Sequence, residues 1–438
     1  MPGMKSNSRL SVLVAVVAVA ATAAACSNAD AGSKSTGGSD ASGAFEVSTS
    51  SCPPEATQAL GDGEPLKVGT VWPLSGPYAA LGEPIVAGMK TALASVNADG
   101  GIDGHQVELE AEDDGYDPSK TLPVVTKMIQ QDKVFATVAQ AGTPNVAAVQ
   151  PLYEQSCTPQ LFVGTGAPQY GDPANHPWTI SGAMAYNTEA DAWADYLKQE
   201  KPGAKVAYLA IDTDGGKAYS DGFEAAAKED GLTVVASEKV APDAATVENQ
   251  VTNLLAAKPD VIILMSVGAS CAKAMGAMAA GGFKGTTIAA YTCAAAAIFP
   301  VLGQAAQGAL AVAVNKNVTD ASDADIQKFR DDIAKYGEGT EPSDDALSGY
   351  RYAMVFVEAA KAAAELDGGL TRANLMDAAW NLDSQWFASV GGAARTDGTK
   401  DAYALETGQM VSWDAAKKEL VPVGEPIDRE GKTAAFSG

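Results

Sequence analysis

The chain has 438 residues, with 54 acidic side chains against 30 basic ones and a formal net charge of −24 at pH 7. This excess of negative charge argues against nucleic acids and anionic membrane surfaces as partners. The length exceeds what one hydrophobic core organises, so we expect two lobes.

The N-terminus carries an export signal. Lys5 and Arg9 precede an uncharged apolar run, residues 10–25, which ends in small residues directly before Cys26. This pattern defines a signal peptide, whereas a membrane-spanning helix needs about 20 apolar residues. We predict a lipoprotein signal peptide over residues 1–25, with Cys26 as the lipidated residue. The alternative is an ordinary cleaved signal followed by an incidental cysteine.

Residues 26–50 are predicted to form a flexible tether. The segment SNADAGSKSTGGSDASGA is rich in Gly, Ser, Ala and Asp and has no apolar periodicity. Such a composition cannot build a core. No later apolar run is long enough to span a bilayer. We therefore expect an extracytoplasmic lipoprotein, anchored by its lipid to the outer face of the cell membrane.

Strand-like and helical runs alternate from residue 66 onward. The predicted strands are 66–71, 106–112, 133–139, 160–164, 205–211, 232–240, 260–267, 286–292 and 309–314. The predicted helices between them are 83–97, 119–131, 188–201, 217–229, 245–257 and 271–280. Alternation of this kind predicts an α/β fold, in which each lobe has a mainly parallel sheet flanked by helices.

The pattern changes after Val314. Long helices are predicted at 325–336 and 344–366, and a strand pair, 404–414 and 419–424, closes the chain. In open parallel sheets, ligands bind beyond the carboxyl ends of the strands. The strand-end loops WPLSGPY and DDGYDP are therefore expected to face a ligand enclosed between the two lobes.

Four cysteines remain after Cys26, and in an exported chain they predict two disulfides, although three pairings are possible. We favour Cys271–Cys293, because both residues follow consecutive strands that should lie side by side. Cys52–Cys157 is then left by default. A zinc site is the competing interpretation, but the sequence has no CxxC spacing, so we expect no metal.

Two loops carry groups that suit a carboxylate. Thr143 precedes Pro144 and a helical run, which is a helix-start signature. Simple capping is one interpretation; the other is that the helix end offers N–H groups to a ligand carboxylate. One strand later, Gly164 and Gly166 allow close backbone approach and Thr165 can donate its hydroxyl.

Aromatic residues recur in or near the strand-end loops. They are Trp72, Tyr78, Tyr116, Tyr219 and Tyr291. A single one of them is best explained by packing, but the set at corresponding places favours a pocket for a small ligand.

Enzyme chemistry has little support in the sequence. The only histidines, His105 and His176, lie in turn-like segments and are expected at the surface. No nucleophile elbow, HExxH motif or P-loop is present. Asp113 and Asp114 could serve a glycosidase, but no feature of the sequence fixes their separation.

The segments VGTVWPLSGPYAALGEPIVAGMKTALASVNADGGIDGHQVELEAEDDGYDP, VFATVAQAGTPNVAAVQPLYEQ, LFVGTGAP and KVAYLAIDTDGGKAYSDGF carry a family resemblance. The chain resembles the type I periplasmic binding proteins of the leucine/isoleucine/valine-binding group, which feed ABC transporters. The resemblance implies a two-lobed fold with three interlobe crossings that closes on its ligand. It implies lobe 1 over 66–185 and 315–384 and lobe 2 over 186–314 and 385–438.

The resemblance also implies ligand contacts at four loops: Tyr78 and Leu81, then Thr143, then Gly164 and Gly166, then Val267 and Gly268. The chain departs from the family at four of its site positions. The acidic partner of an amino acid's ammonium group falls at Tyr291, whose hydroxyl cannot replace a carboxylate as a charge partner. An expected aromatic residue falls at Val267. Gly164 and Gly166 replace an alanine and a threonine, which widens the expected pocket.

We therefore expect a monomeric solute-binding protein without a cofactor that works with the permease subunits of an ABC importer. The expected solute is small and carries a carboxylate, as a branched-chain or related amino acid does. Receptors for an amide, urea or aromatic acid, and a sensor subunit with the same cleft, remain alternatives. A secreted enzyme would need a catalytic constellation that the sequence does not show.

Overall fold

The computed structural model of the chain describes residues 44–433 and residue 436. The predicted signal peptide, the predicted lipidation site Cys26 and residues 27–43 of the predicted tether lie outside the described residues.

The first lobe is built on a parallel sheet of five strands in the order β2-β1-β3-β4-β5. The strands are β1 Leu66–Trp72, β2 Val107–Asp113, β3 Ala136–Val138, β4 Gln160–Val163 and β5 Thr179–Ser181. The helices between them are α1 Ala79–Ala98, α2 Pro118–Lys127, which continues as a π turn to Asp132, and α3 Thr143–Ser156. Strand β5 was not predicted, because three residues are too few to show a period.

The second lobe continues the strand–helix alternation. Its helices are α4 Tyr186–Glu200, α5 Asp214–Glu229, α6 Glu248–Ala256, α7 Ala269–Ala280 and α8 Ala295–Leu302. Its parallel strands are β6 Lys205–Ile211, β7 Thr233–Val240, β8 Val261–Met265, β9 Thr286–Ala289 and β10 Leu310–Ala313. All five residues of β8 are buried, as a strand covered by helices on both faces requires.

The last third of the chain adds α9 Ala324–Tyr336, α10 Asp344–Ala364 and α11 Arg372–Trp380, then β11 Asp383–Gln385, β12 Ala393–Arg395, β13 Thr407–Asp414 and β14 Glu419–Asp428. Strands β13 and β14 extend the second sheet, whose order is β14-β13-β10-β9-β8-β6-β7. The short β11–β12 ladder was not predicted.

The three late helices return to the first lobe. Helix α10 lies against α1 so closely that a Cβ on Gly88 would come within 1.9 Å of the Ala346 carbonyl oxygen. Arg372 at the start of α11 donates to the Val134 carbonyl at 2.8 Å. The chain thus crosses between lobes three times, after β5, after β10 and before β13. The predicted two-lobed α/β fold is confirmed, and the lobe boundaries by residue number stay a prediction.

The structure corrects the predicted end of the tether. The backbone N–H of Phe45 donates to Asn381 Oδ1 at 2.8 Å, and that of Val47 donates to Asp377 Oδ1 at 2.7 Å. The Phe45 ring also packs edge-on against Trp380, with ring centroids 6.0 Å apart. Phe45 and Val47 therefore belong to the folded body, although they lie within the predicted tether.

Both predicted disulfides are present. Cys52 is bonded to Cys157, and Cys271 to Cys293. The prediction of a surface position for His105 was wrong: its side chain is buried, and Nδ1 lies 2.7 Å from the Glu64 carbonyl oxygen. Within residues 44–433, none of the helices combines the length and the apolar character needed to cross a membrane.

Candidate functional site

A cavity of about 140 Å³ lies where strand-end loops of the two lobes meet. The first lobe contributes residues that follow β1 to β4, which include Pro73, Tyr78, Tyr116, Ala141 and Gly164. The second lobe contributes Val267, Tyr291, Thr292 and residues 294–296, and β10 supplies residues 311–313. The cavity therefore occupies the place where an α/β sheet binds its ligands.

Aromatic rings form the first-lobe wall. Trp72 ends β1 inside the lining, and the rings of Tyr78 and Tyr116 are tilted against each other with centroids 4.7 Å apart. Three of the five predicted aromatic residues thus line the cavity on this side, and Tyr291 does so on the other. Tyr219 does not line the cavity: it stacks behind Tyr186, with ring centroids 4.1 Å apart.

The adjacent carboxylates Asp113 and Asp114 brace the first-lobe loops. Asp113 Oδ1 accepts the backbone N–H groups of Leu74 at 2.8 Å, Ser75 at 3.2 Å and Gly115 at 2.8 Å. Burial opposes ionisation, but these hydrogen bonds hold the pKa of Asp113 below its usual value. Asp114 is buried and accepts from Tyr116 N at 2.9 Å. Both acids therefore shape the aromatic wall, which makes the glycosidase interpretation unnecessary.

The predicted capping role of Thr143 was wrong. Gly142 is the N-cap of α3, Thr143 is the first helical residue, and its side chain caps nothing. The Thr143 hydroxyl instead lies 2.6 Å from that of Thr165, which lies 3.2 Å from the Tyr186 hydroxyl. Both threonines are buried, and neither lines the cavity. The chain of hydroxyls positions Tyr186, which does line it.

The two predicted loop glycines differ in what they do. Gly164 lines the cavity beside Trp72. A Cβ on Gly166 would lie 2.0 Å from the Met184 carbonyl oxygen and 2.8 Å from the Tyr186 ring. Gly166 therefore permits backbone packing behind Tyr186 and does not widen the pocket. Of the remaining family-matched positions, Leu81 and Val267 line the cavity, and Gly268 does not.

A buried carboxyl holds the Tyr291 loop. Glu189, on α4, accepts from the Tyr219 hydroxyl at 2.6 Å and from the backbone N–H of Tyr291 at 2.8 Å. Burial raises the pKa of Glu189 to about 8. The Cys271–Cys293 disulfide ties the same loop to α7. Tyr291 is thus fixed from two sides, and its pKa is raised by burial, so the phenol stays neutral.

Sequence reasoning missed one wall of the cavity, which belongs to α10. Its lining residues are Asp344, Asp345, Ser348, Arg351 and Tyr352. Their spacing places them on one helix face. Polar residues at that spacing in the otherwise apolar run ALSGYRYAMVFVEAA were the signal that could have revealed the wall.

The α10 wall carries opposite charges. The carboxylate of Asp344 accepts from Asn315 Nδ2 at 3.2 Å, and burial raises its pKa. Burial and the neighbouring Asp344 raise the pKa of Asp345 to about 7. Arg351, two turns further on, is 2 % exposed, and burial lowers its pKa. One end of the wall is therefore acidic and the other basic.

Direct contacts hold the two lobes together around the cavity. The Tyr78 hydroxyl, from the first lobe, donates to the Pro242 carbonyl oxygen, which follows β7, at 2.7 Å. Thr143 lies against Gly215 at the start of α5, where an added Cβ would come within 2.8 Å of Oγ1. In the described part of the chain no group of three metal-ligating side chains is present.

Residues 65–418 match the family described as periplasmic binding protein. The chain is 26% identical over 197 residues to a Leu/Ile/Val-binding protein homolog of Brucella melitensis, and this match covers 45% of the chain and 53% of that relative. It is 24% identical over 309 residues to another such homolog, from Brucella suis, and this match covers 67% of the chain and 76% of that relative. The chain thus spans about half the length of the first of these relatives.

Solved structures share the fold. A branched-chain amino acid ABC transporter protein from Thermus thermophilus with bound valine has a TM-score of 0.76 at 20% identity, and the match covers 84% of this chain and 97% of that one. A fatty acid ABC transporter substrate-binding protein from Thermomonospora curvata has a TM-score of 0.72 at 20% identity, and the match covers 86% of this chain and 96% of that one. The family comprises substrate-binding proteins and not enzymes. With most of its length matched, the chain belongs to the type I periplasmic binding proteins of the leucine/isoleucine/valine-binding group.

Proposed function

We propose that this chain is the extracytoplasmic solute-binding protein of an ABC importer and closes its two lobes on a small carboxylate-bearing solute. The observation that carries the proposal is the cavity at the strand ends, which residues from both lobes line. A solute bound there contacts both lobes at once and so favours their closed arrangement.

The proposed class of solute is a branched-chain or related amino acid. The names of the Brucella relatives point to this class. Tyr78, Gly164 and Tyr291 are proposed to contact the solute, because they line the cavity. Thr143, Thr165, Gly166, Tyr219 and Gly268, which we predicted as contacts, lie outside the lining and are now proposed to support it.

A thermal-shift panel on the exported protein tests this function. The panel contains branched-chain and other amino acids, their amides, urea and aromatic acids. A solute at 100 times its dissociation constant should add about 2.7 kcal/mol to the free energy of unfolding. Stabilisation by a branched-chain amino acid supports the proposal. Stabilisation by urea or an amide alone would replace the proposed solute class, and no stabilisation by any solute would contradict a binding function.

Transport and sensing share the same cleft, so a second experiment separates them. Uptake of the radiolabelled solute should be lost when the gene is deleted and restored by the intact gene. Unchanged uptake in the deletion strain would favour a sensor subunit.

The proposal includes a lipid anchor at Cys26, supported by the signal pattern that ends there. Cys26→Ala should release the protein from the membrane fraction and leave its thermal unfolding unchanged. A Cys26→Ala protein that stays in the membrane fraction after a high-salt wash would contradict the anchor.

A further inference from the structure

Arg351 is a buried cation that forms no ion pair with a described residue. Its side chain is 2 % exposed, and neither Nε nor Nη1 has a hydrogen-bond partner among the described residues. A guanidinium keeps its proton inside a protein, so the charge is present at every physiological pH. A buried charge without a partner is strongly destabilising. The unused N–H groups of Arg351 therefore favour an anionic ligand, because no described residue accepts from them.

Aromatic rings hold the guanidinium in place. Its central carbon lies 4.6 Å from the centroid of the Trp386 ring and 5.3 Å from that of the Tyr352 ring. The Trp386 ring is itself fixed, because its Nε1 donates to the Ala404 carbonyl oxygen at 2.5 Å. Cation–π contact offsets part of the desolvation but uses the face of the guanidinium, and the N–H groups at its edge are not consumed.

The cavity offers a second unpaired donor. The indole Nε1 of Trp72 is buried and has no partner among the described residues, although Trp72 lines the same cavity as Arg351. Buried donors are normally hydrogen-bonded, so two unpaired ones around one cavity point to an acceptor-rich ligand. Asp344 interacts electrostatically with Arg351 but forms no ion pair with it, and the Asp344 carboxylate accepts a hydrogen bond from Asn315 instead.

We propose that Arg351 binds the carboxylate of the transported solute, with the apolar body of the solute packed among the cavity's aromatic rings. This inference rests on the proposed solute-binding function. It moves the carboxylate site from the Thr143 loop, where the hydroxyls bond each other, to the α10 wall. The planar donors of arginine match a carboxylate in two parallel hydrogen bonds, which a neutral amide cannot reproduce.

The test uses matched acids and amides on the full exported protein. The pairs are L-leucine and L-leucinamide, 4-methylpentanoate and 4-methylpentanamide, and benzoate and benzamide. At least one acid should raise the melting temperature of the wild type, and its amide should not. Arg351→Gln should weaken binding of that acid about 10- to 100-fold, because hydrogen bonds to a charged group are lost. Arg351→Lys, which keeps the charge but loses the planar pair of donors, should fall in between.

Arg330→Gln is the matched control, since Arg330 lies on α9 outside the cavity lining and, among the described residues, donates only to the Val318 carbonyl oxygen. This variant should bind the acid as the wild type does. Arg351→Met keeps an unbranched apolar side chain in the position of the arginine stem and removes the charge. The ligand-free melting temperatures of the Gln and Met variants should not fall below that of the wild type, because an unpaired buried charge has been removed.

Three outcomes would overturn the assignment. They are an acid that binds Arg351→Gln as tightly as the wild type, an amide that binds as tightly as its acid, and ligand-free melting temperatures well below the wild type in both the Gln and Met variants. An amide that stabilises the wild type as strongly as its acid would leave the solute-binding function intact while removing the role of Arg351. If none of the acids or amides stabilises the wild type, the result would contradict both the solute-binding function and the role of Arg351.

Discussion

The hydroxyl oxygens of Thr143 and Thr165 lie 2.6 Å apart and join the loops that follow β3 and β4. Because both side chains are buried, their hydrogen bond stabilises the wall behind Tyr186 and does not reach the solute. This relationship changes the expected effect of mutating Thr143 from a loss of affinity to a loss of stability.

Thr143→Val should lower the free energy of unfolding by about 1 kcal/mol, the usual net value of a buried hydrogen bond. Affinity for the solute should change less than about threefold, because no cavity-lining donor is lost. Urea unfolding and calorimetric titration measure the two effects. Thr252→Val is the control: the Thr252 hydroxyl is exposed on α6 and, within the described part of the chain, donates only to the Glu248 carbonyl oxygen. A tenfold loss of affinity in Thr143→Val would return Thr143 to the binding site.

Glu189 makes stability depend on pH. Its pKa of about 8 in the folded protein lies above the value of about 4.3 in an unfolded chain, so the folded state binds the proton more tightly. The associated stability is fully present below about pH 4 and is lost as pH rises through 8. Between pH 5 and pH 8 the free energy of unfolding should therefore fall less in Glu189→Gln than in the wild type. The two falls should differ by an amount on the order of a few kcal/mol.

Urea unfolding at pH 5 and pH 8 measures this difference. Glu154 is a useful comparison, because burial raises its pKa to about 7 and its partners, Trp178 and Thr179, lie outside the cavity lining. Glu154→Gln should also flatten the pH dependence, but with no effect on the Tyr291 loop. Equal pH dependence in Glu189→Gln and the wild type would contradict the assigned role.

The two disulfides should act on different properties. Cys52–Cys157 closes a separation of 105 residues and Cys271–Cys293 one of 22. In the chain-entropy account, replacing both cysteines of a pair by alanine lowers the free energy of unfolding more for the longer loop. The expected loss is nearly 5 kcal/mol for Cys52–Cys157 and about 3 kcal/mol for Cys271–Cys293. Only the Cys271→Ala, Cys293→Ala protein should lose affinity for the solute, because its bond holds the loop of Tyr291. Chemical unfolding and titration of both double variants measure this, and equal affinities would contradict the role of the shorter bridge.

Local sequence patterns predicted the loops of the site but not the helix that completes it. Tyr78, Gly164 and Tyr291 were identifiable because each follows a strand-like run, and the carboxyl ends of parallel strands share one edge of the sheet. Arg351 was not, because α10 reaches the cavity only through its packing against α1 after the chain has left the second lobe. The prediction for Thr143 was wrong for a related reason. A helix-start pattern does not show that Gly142 is the N-cap residue, nor that the Thr143 hydroxyl bonds that of Thr165.

The hydrogen bond from the Tyr78 hydroxyl to the Pro242 carbonyl oxygen, 2.7 Å long, links the two lobes beside the cavity. Tyr78→Phe keeps the aromatic wall and deletes this link. The closed arrangement should lose about 1 kcal/mol, so the solute that gives the largest thermal shift should bind about 2- to 10-fold more weakly, mainly through faster dissociation. Stopped-flow and titration measurements separate the rates from the affinity.

Tyr196→Phe is the matched control for this last variant, since the half-exposed Tyr196 hydroxyl forms no hydrogen bond to a described residue. It should dissociate at the wild-type rate. Small-angle X-ray scattering of the solute-saturated proteins supplies an independent measure, because a weakened link between lobes increases the radius of gyration of Tyr78→Phe relative to both other proteins. Identical dissociation rates in the two phenylalanine variants would show that the Tyr78–Pro242 hydrogen bond does not hold the lobes closed.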